Sequence, residues 1–223
     1  IDDSPLEYDS GVVKAWKPKN YDNIYRGNVT MRDALTNSIN IVSIKILETI
    51  GVGTAIEFAK KLGITSKMEP NLTLALGASS LTPQELTDAY SVYAAGGYKF
   101  TPYFITKVTD RSGTMLEETP TPTLPVFANN TSAVSVTITG SGDEPSKALQ
   151  LQPSSAKSTP VGTTQLPPPV QVVSPEVSYI ITNLMESVVN SGTGQRAKAV
   201  GRPVAGKTGT TNDMKDAWFV GFV

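Results

Sequence analysis

The chain has 223 residues, a formal net charge of −1, 39% hydrophobic residues and 17% charged residues. That is enough apolar side chain for a core, with no net field to draw nucleic acid or anionic lipid. It contains no cysteine and no histidine, which excludes disulfides, thiol catalysis, the Ser-His-Asp triad and the usual zinc ligand sets.

Proton transfer must therefore use Lys, Asp, Glu or Tyr. No run of about 18 apolar residues is present to span a membrane. The sequence opens on "IDDSPLEYDS" without a signal-peptide pattern and closes on a strand-like "WFVGFV", so it reads as part of a longer protein.

The first predicted helix covers 31–50 and starts at the capping box "TMRD", Thr30 to Asp33. Asn37, Ser38 and Asn40 are poor helix-interior residues that interrupt it, and Asn40 is placed to cap a second segment ending near Ile50. "TAIE" then caps a helix at 55–62 from Thr54. "TPQE" starts one at 83–95, with Pro83 in the first turn. Gly51, Gly63 and the Gly96–Gly97 pair supply the stops.

Alternation in "YFITKVTD" (103–110), a "DRSG" turn and "TMLEE" predict a hairpin. Residues 119–173 hold more than half of the 16 prolines, many Ser and Thr, and Phe127 as their one aromatic residue. That composition reads as a linker or surface insertion, although "SAVSVTITG" (132–140) alternates like a short strand. "SPEV" opens a helix over 175–190, stopped by Gly192. "PVAGKTGTT" and "DAWFVGFV" then read as a second strand pair, joined near Thr211–Lys215.

"AGKTGTTND" carries the first chemical signal. An ammonium at a strand edge can hold a carboxylate. Thr208 and Thr210 share a strand face, and Gly209 between them leaves room for another backbone. The pattern describes an edge strand that takes an extended peptide ending in a free carboxylate. Lys207, read as exposed, keeps an ordinary pKa of about 10.4. The second signal is Ser38-Ile39-Asn40 upstream of it.

Ser-x-Asn followed by Lys-Thr-Gly belongs to the motif set of penicillin-binding proteins and serine β-lactamases. The chain resembles the transpeptidase domain of class A, bifunctional, penicillin-binding proteins. The resemblance is carried by "WKPKNYDNIYRGNVTMRDALTNSINIVSIKI", "NLTLALGASSLTPQELTDAYSVYAAGGY", "SGTGQRAKAVGRPVAGKTGTTND" and "DAWFVGF".

It implies an α+β fold, an antiparallel sheet flanked by helices. The first part of the domain is expected at 1–118, the insertion at 119–173 and the second part at 174–223. It also implies serine acyl-enzyme chemistry without cofactor or metal. Peptidoglycan stem peptides ending in D-Ala–D-Ala and β-lactams are the implied ligands. Ser38 and Lys207 are implied to act in proton relay and as positive potential, and Asn40 to hold the substrate amide. Thr208, Gly209 and Thr210 are implied to line the carboxylate site. The implied setting is the bacterial cell envelope, outside the cytoplasm, in a protein anchored by a segment beyond these residues and carrying a glycosyltransferase domain.

The family's nucleophile lies in a Ser-x-x-Lys motif ahead of Ser-x-Asn. The one match here, Ser154 to Lys157, follows Ser-x-Asn and sits in the Pro-rich stretch. The nucleophile is therefore expected upstream of Ile1, and the chain is expected to be inactive alone. A D,D-carboxypeptidase, a serine β-lactamase and a non-catalytic peptidoglycan-binding sensor or scaffold are the alternatives on the same motifs.

Overall fold

A computed structural model describes residues 1–8, 15–122, 162–163, 166–211 and 216–223. The expected strand at 132–140, the Ser154–Lys157 motif and most of the join near 211–215 lie outside the described residues. The described chain forms two units, one of Ile1–Phe100 with Val170–Val223 and one of Thr101–Pro169.

In the first unit, β1 (Asp2–Asp3) pairs antiparallel with β2 (Gly27–Asn28). Helix α1 (Met31–Thr36) follows, capped by Thr30, whose side chain accepts from Asp33 N–H at 3.1 Å. Helix α2 (Asn40–Ile50) comes next, so the expected interruption falls at 37–39. Asn40 is its first helical residue rather than its cap. The Ile41 N–H instead donates to Asn20 Oδ1 at 3.1 Å. Helix α3 (Val52–Leu62) begins earlier than the expected 55. Gly51, at φ +86°, turns the chain directly out of α2 into α3, which leaves Thr54 inside the helix rather than at its cap.

Two short 3-10 helices, Leu72–Leu76 and Gln195–Val200, were not legible as such. Helix α4 (Pro83–Ala94) has a complete capping box between Thr82 and Glu85. Glu85 also accepts from the backbone N–H and hydroxyl of both Thr65 and Ser66, at 2.7–2.8 Å. These donors, the Ser66 hydroxyl foremost, hold its carboxyl well below the usual carboxylate range.

β3 (Tyr98–Lys99) pairs antiparallel with β7 (Val170–Gln171). Val172 and Val173 both donate to the Gly97 carbonyl, at 2.9 and 3.1 Å. Buried Val173 joins Leu62, Ile64, Ala89 and Val92 in one core cluster. Residues 170–173 therefore pack with the first unit, whereas the expected insertion ran to 173. Proline content marks 167–169, but the "VQVV" after it has the apolar side chains to be buried.

Helix α5 (Pro175–Ser191) buries Ser178, Met185, Val188 and Val189, the spacing of one helix face. Ser178, 1% exposed, donates to the Tyr93 carbonyl at 2.9 Å, which ties α5 to α4. Arg32 of α1 donates to the Asn183 carbonyl, Asn183 Oδ1 and Ser187 Oγ, which ties α1 to the same helix. Helix α5 then packs on β8 (Ala205–Thr210), the antiparallel partner of β9 (Ala217–Phe222). The ends of α1 and α5 are thereby brought to the strand that carries Lys207.

The second unit contains β4 (Lys107–Thr109) and β5 (Met115–Glu118), the expected hairpin. β6 (Gly162–Thr163) adds to β5 in parallel. The unit starts at 101, ahead of the expected boundary at 119. The fold is α+β, and among the described residues its strands form four small sheets rather than one.

Candidate active site

Helix α1 ends in a Schellman motif. Ile39 N–H donates to Ala34 O at 2.9 Å and Ser38 N–H to Leu35 O at 3.2 Å. Ile39 and Ala34 also meet in a small core with Val42, the apolar contact that usually accompanies this motif. The residue after the cap needs a left-handed backbone, and glycine normally supplies it. Here Ser38 does so at φ +54°. That conformation costs a non-glycine residue on the order of 1–2 kcal/mol, and such strain gathers at functional sites. The same turn aims the hydroxyl away from α1 and toward β8.

Ser38→Ala and Ser38→Gly both remove that hydroxyl but differ in backbone strain. The glycine variant is expected to be the more stable by about 1 kcal/mol in urea unfolding. An alanine variant of equal or greater stability would contradict this account of the turn.

Lys207 Nζ donates to Ser38 Oγ at 2.7 Å and to the Thr208 carbonyl at 3.0 Å. The two motifs, 169 positions apart in the chain, are thus in direct contact, inside the ~4 Å contact range. Lys207 is half-buried rather than exposed. It borders a cavity of about 280 Å³ lined by Leu35, Leu86, Tyr90, Tyr93, Ile181 and Met185. Desolvation against these groups lowers its pKa from 10.5 to about 8, which corrects the ordinary value expected from sequence. At pH 7 the amine is still mainly protonated and donates.

The register of β8 decides which of its backbone groups face away from β9. Thr211 N–H donates to the Asp216 carbonyl at 3.0 Å. The ladder then runs Thr210–Ala217, Gly209–Trp218, Thr208–Phe219 and Lys207–Val220. In an antiparallel pair, hydrogen-bonded and non-hydrogen-bonded positions alternate. The main-chain N–H groups of Thr208 and Thr210 therefore point away from β9, toward the outer edge of β8. Among the described residues no strand pairs with that edge. A Cβ built on Gly209 would meet nothing within 4 Å, so the strand face at Gly209 is open. Thr210 is exposed and Thr208 half-buried.

Asn40 Nδ2 donates to the Lys19 carbonyl at 2.9 Å, so it bonds to the preceding loop. Beside it, sequence reasoning missed a buried network. Asp3 and Asn20 are 1% and 4% exposed. Asn20 Nδ2 donates to Asp3 Oδ1 and to the Ile24 carbonyl, each at 2.8 Å, and Arg26 N–H donates to Asp3 Oδ2 at 3.0 Å. With Ile41 N–H on Asn20 Oδ1, this network sets the start of α2 and so the position of Asn40. Asn20, Ile24, Arg26 and Ile41 all lie within the family-like stretch that begins at Trp16.

The Penicillin binding protein transpeptidase domain model matches residues 1–223. The chain is 37% identical to Penicillin-binding protein 1A of Pseudomonas aeruginosa, over all of this chain and 28% of that protein. It is 38% identical to Penicillin-binding protein 1A of Neisseria meningitidis, over 93% of this chain and 21% of that protein. The chain thus spans about a quarter of the length of these relatives.

The crystal structure of Penicillin-Binding Protein 1A from Haemophilus influenzae superposes with a TM-score of 0.74 at 28% identity, covering all of this chain and 32% of that one. PonA1 from Mycobacterium tuberculosis in complex with penicillin V shares the fold, with a TM-score of 0.63 at 21% identity, over all of this chain and 51% of that one. A family model that matches end to end, on a fold that brings Ser-x-Asn against Lys-Thr-Gly, shows that the chain belongs to the penicillin-binding protein transpeptidase family.

Proposed function

We propose that residues 1–223 are part of a peptidoglycan D,D-transpeptidase whose serine nucleophile lies outside them. The observation that carries the reading is the Ser38–Lys207 contact at 2.7 Å, beside a strand edge with two outward N–H groups and an open glycine. The relatives' greater length and the misplaced Ser154–Lys157 motif support an external nucleophile.

In the proposed reaction the nucleophile's oxygen attacks the carbonyl of a D-Ala–D-Ala peptide bond, and the terminal D-Ala leaves as the amine. The acyl-enzyme ester is then attacked by an amine of a second stem peptide, which forms the cross-link and frees the serine. The substrate lies along β8, and its terminal carboxylate takes hydrogen bonds from the Thr208 and Thr210 hydroxyls. The Lys207 ammonium supplies positive potential below the strand and holds the Ser38 oxygen. Ser38 relays a proton toward the departing amine, and Asn40 binds the substrate amide. The outward Thr210 N–H is one donor to the oxyanion. β-Lactams enter as mimics of the same peptide. The protein acts at the bacterial envelope, outside the cytoplasm, anchored by a segment beyond this chain, and it also carries a glycosyltransferase domain.

The test is product analysis of the longer protein on stem-peptide substrate. Cross-linked dimers are the expected product. Hydrolysed monomers alone would indicate a D,D-carboxypeptidase. Rapid turnover of penicillin would indicate a β-lactamase, and binding with no product would indicate a sensor or scaffold.

A further inference from the structure

The loop "SGTG", Ser191 to Gly194, is wedged between the Ser38 turn and β8, and none of the roles above uses it. Gly192 N–H and Gly194 N–H both donate to the Val188 carbonyl at the end of α5, at 3.1 and 2.9 Å. Thr193 N–H donates to the Thr36 carbonyl, the last residue of α1, at 3.2 Å. A Cβ on Gly192 would lie 2.1 Å from that same carbonyl oxygen, so only glycine allows the loop to seat there. These main-chain contacts hold Thr193 in place, and its exposed hydroxyl lies 2.6 Å from Thr208 Oγ1.

A hydroxyl carries one proton and two acceptor lone pairs. In a 2.6 Å pair, one hydroxyl donates and the other accepts. If Thr208 gave its proton to Thr193, it would present only lone pairs to a carboxylate. If Thr193 gives its proton to Thr208, the Thr208 proton is left for a carboxylate. Donation from Thr193 also polarises the Thr208 hydroxyl and strengthens its own donation. The Thr208 carbonyl is already engaged by Lys207 at 3.0 Å, so the strand itself is held while the hydroxyl is oriented.

We propose that Thr193 is a positioning residue for carboxylate recognition, donating to Thr208 Oγ1 so that the Thr208 hydroxyl donates to the substrate's carboxylate. This rests on the transpeptidase reading, which places that carboxylate at Thr208.

The test uses the longer protein carrying this chain, with benzylpenicillin and its methyl ester as probes and the second-order acylation constant as readout. Thr193→Val keeps the side chain's shape and removes the hydroxyl. It is expected to slow acylation by the free acid roughly 3- to 10-fold and to leave the ester's slower acylation unchanged. Thr193→Ser restores the acid's rate to within about twofold of wild type. In a Thr208→Val background, Thr193→Val adds no further loss, and this comparison stands even if one single variant folds poorly. An unchanged acid rate in Thr193→Val overturns the proposal. Equal losses for acid and ester also overturn it, because they mark a structural role only. A wild-type protein acylated by neither probe overturns the transpeptidase reading itself.

Discussion

Lys207→Met in the longer protein is expected to slow penicillin acylation by about a hundredfold or more, while making the fold more stable at neutral pH. Both effects come from one placement. The ammonium donates to Ser38 and to the Thr208 carbonyl, next to the strand edge proposed to take the substrate carboxylate. It also sits against Leu35, Leu86 and Tyr90, which penalise its charge.

The sign of the stability effect follows from the lowered pKa. A lysine at about 8 in the folded state and 10.5 when fully solvated in the unfolded chain binds fewer protons folded than unfolded between those values. Stability therefore rises with pH across that window, and it is lost again as pH falls through about 8. The methionine variant carries no such term. Its advantage over wild type, on the order of 1–3 kcal/mol at pH 7, should shrink steadily between pH 8 and 10.5 in urea titrations. Over the same range the wild-type acylation rate should decline as Lys207 loses its proton. A methionine variant that acylates normally, or one whose stability difference does not change with pH, would contradict this placement of the charge.

What could be read in the sequence was local chemistry. Thr30, Thr82 and Ser174 cap helices as expected, because each side chain bonds a backbone N–H three residues on. Lys-Thr-Gly lies on a strand, and Ser38 lies in a break between helices, both set by neighbouring residues. What could not be read depends on distant partners. The start of α2 is capped by Asn20, 21 positions earlier, so Asn40 looked like the cap. Val173 is buried because it meets Gly97, Val92 and Ala89 in space, although its neighbours in sequence are a proline run. Lys207 reads as a surface residue until α4 and α5 fold around it. The Thr193–Thr208 hydroxyl pair needs α1, α5 and β8 in place together.

A second large effect is expected for the 223-residue chain on its own, which should not be acylated by penicillin at pH 7. Opening the lactam needs an oxygen nucleophile beside a group able to take its proton. The one Ser-x-x-Lys, Ser154 to Lys157, stands on the wrong side of Ser-x-Asn in sequence. Ser38 is the other serine to weigh. It is half-buried, and its oxygen accepts from Lys207 at 2.7 Å. With a pKa of about 8, that amine is roughly nine-tenths protonated at pH 7, so it donates to Ser38 rather than removing its proton. The free base gains share above pH 8, so neutral pH is where the expectation is sharpest.

Intact-mass measurement after incubation with benzylpenicillin at pH 7, on this chain and on the longer protein that carries it, tests the central claim most directly. One penicilloyl adduct is expected per longer protein, mapped to a serine outside residues 1–223, and none on the chain alone. A stoichiometric adduct on any serine within residues 1–223, or no adduct on the longer protein, would contradict the claim.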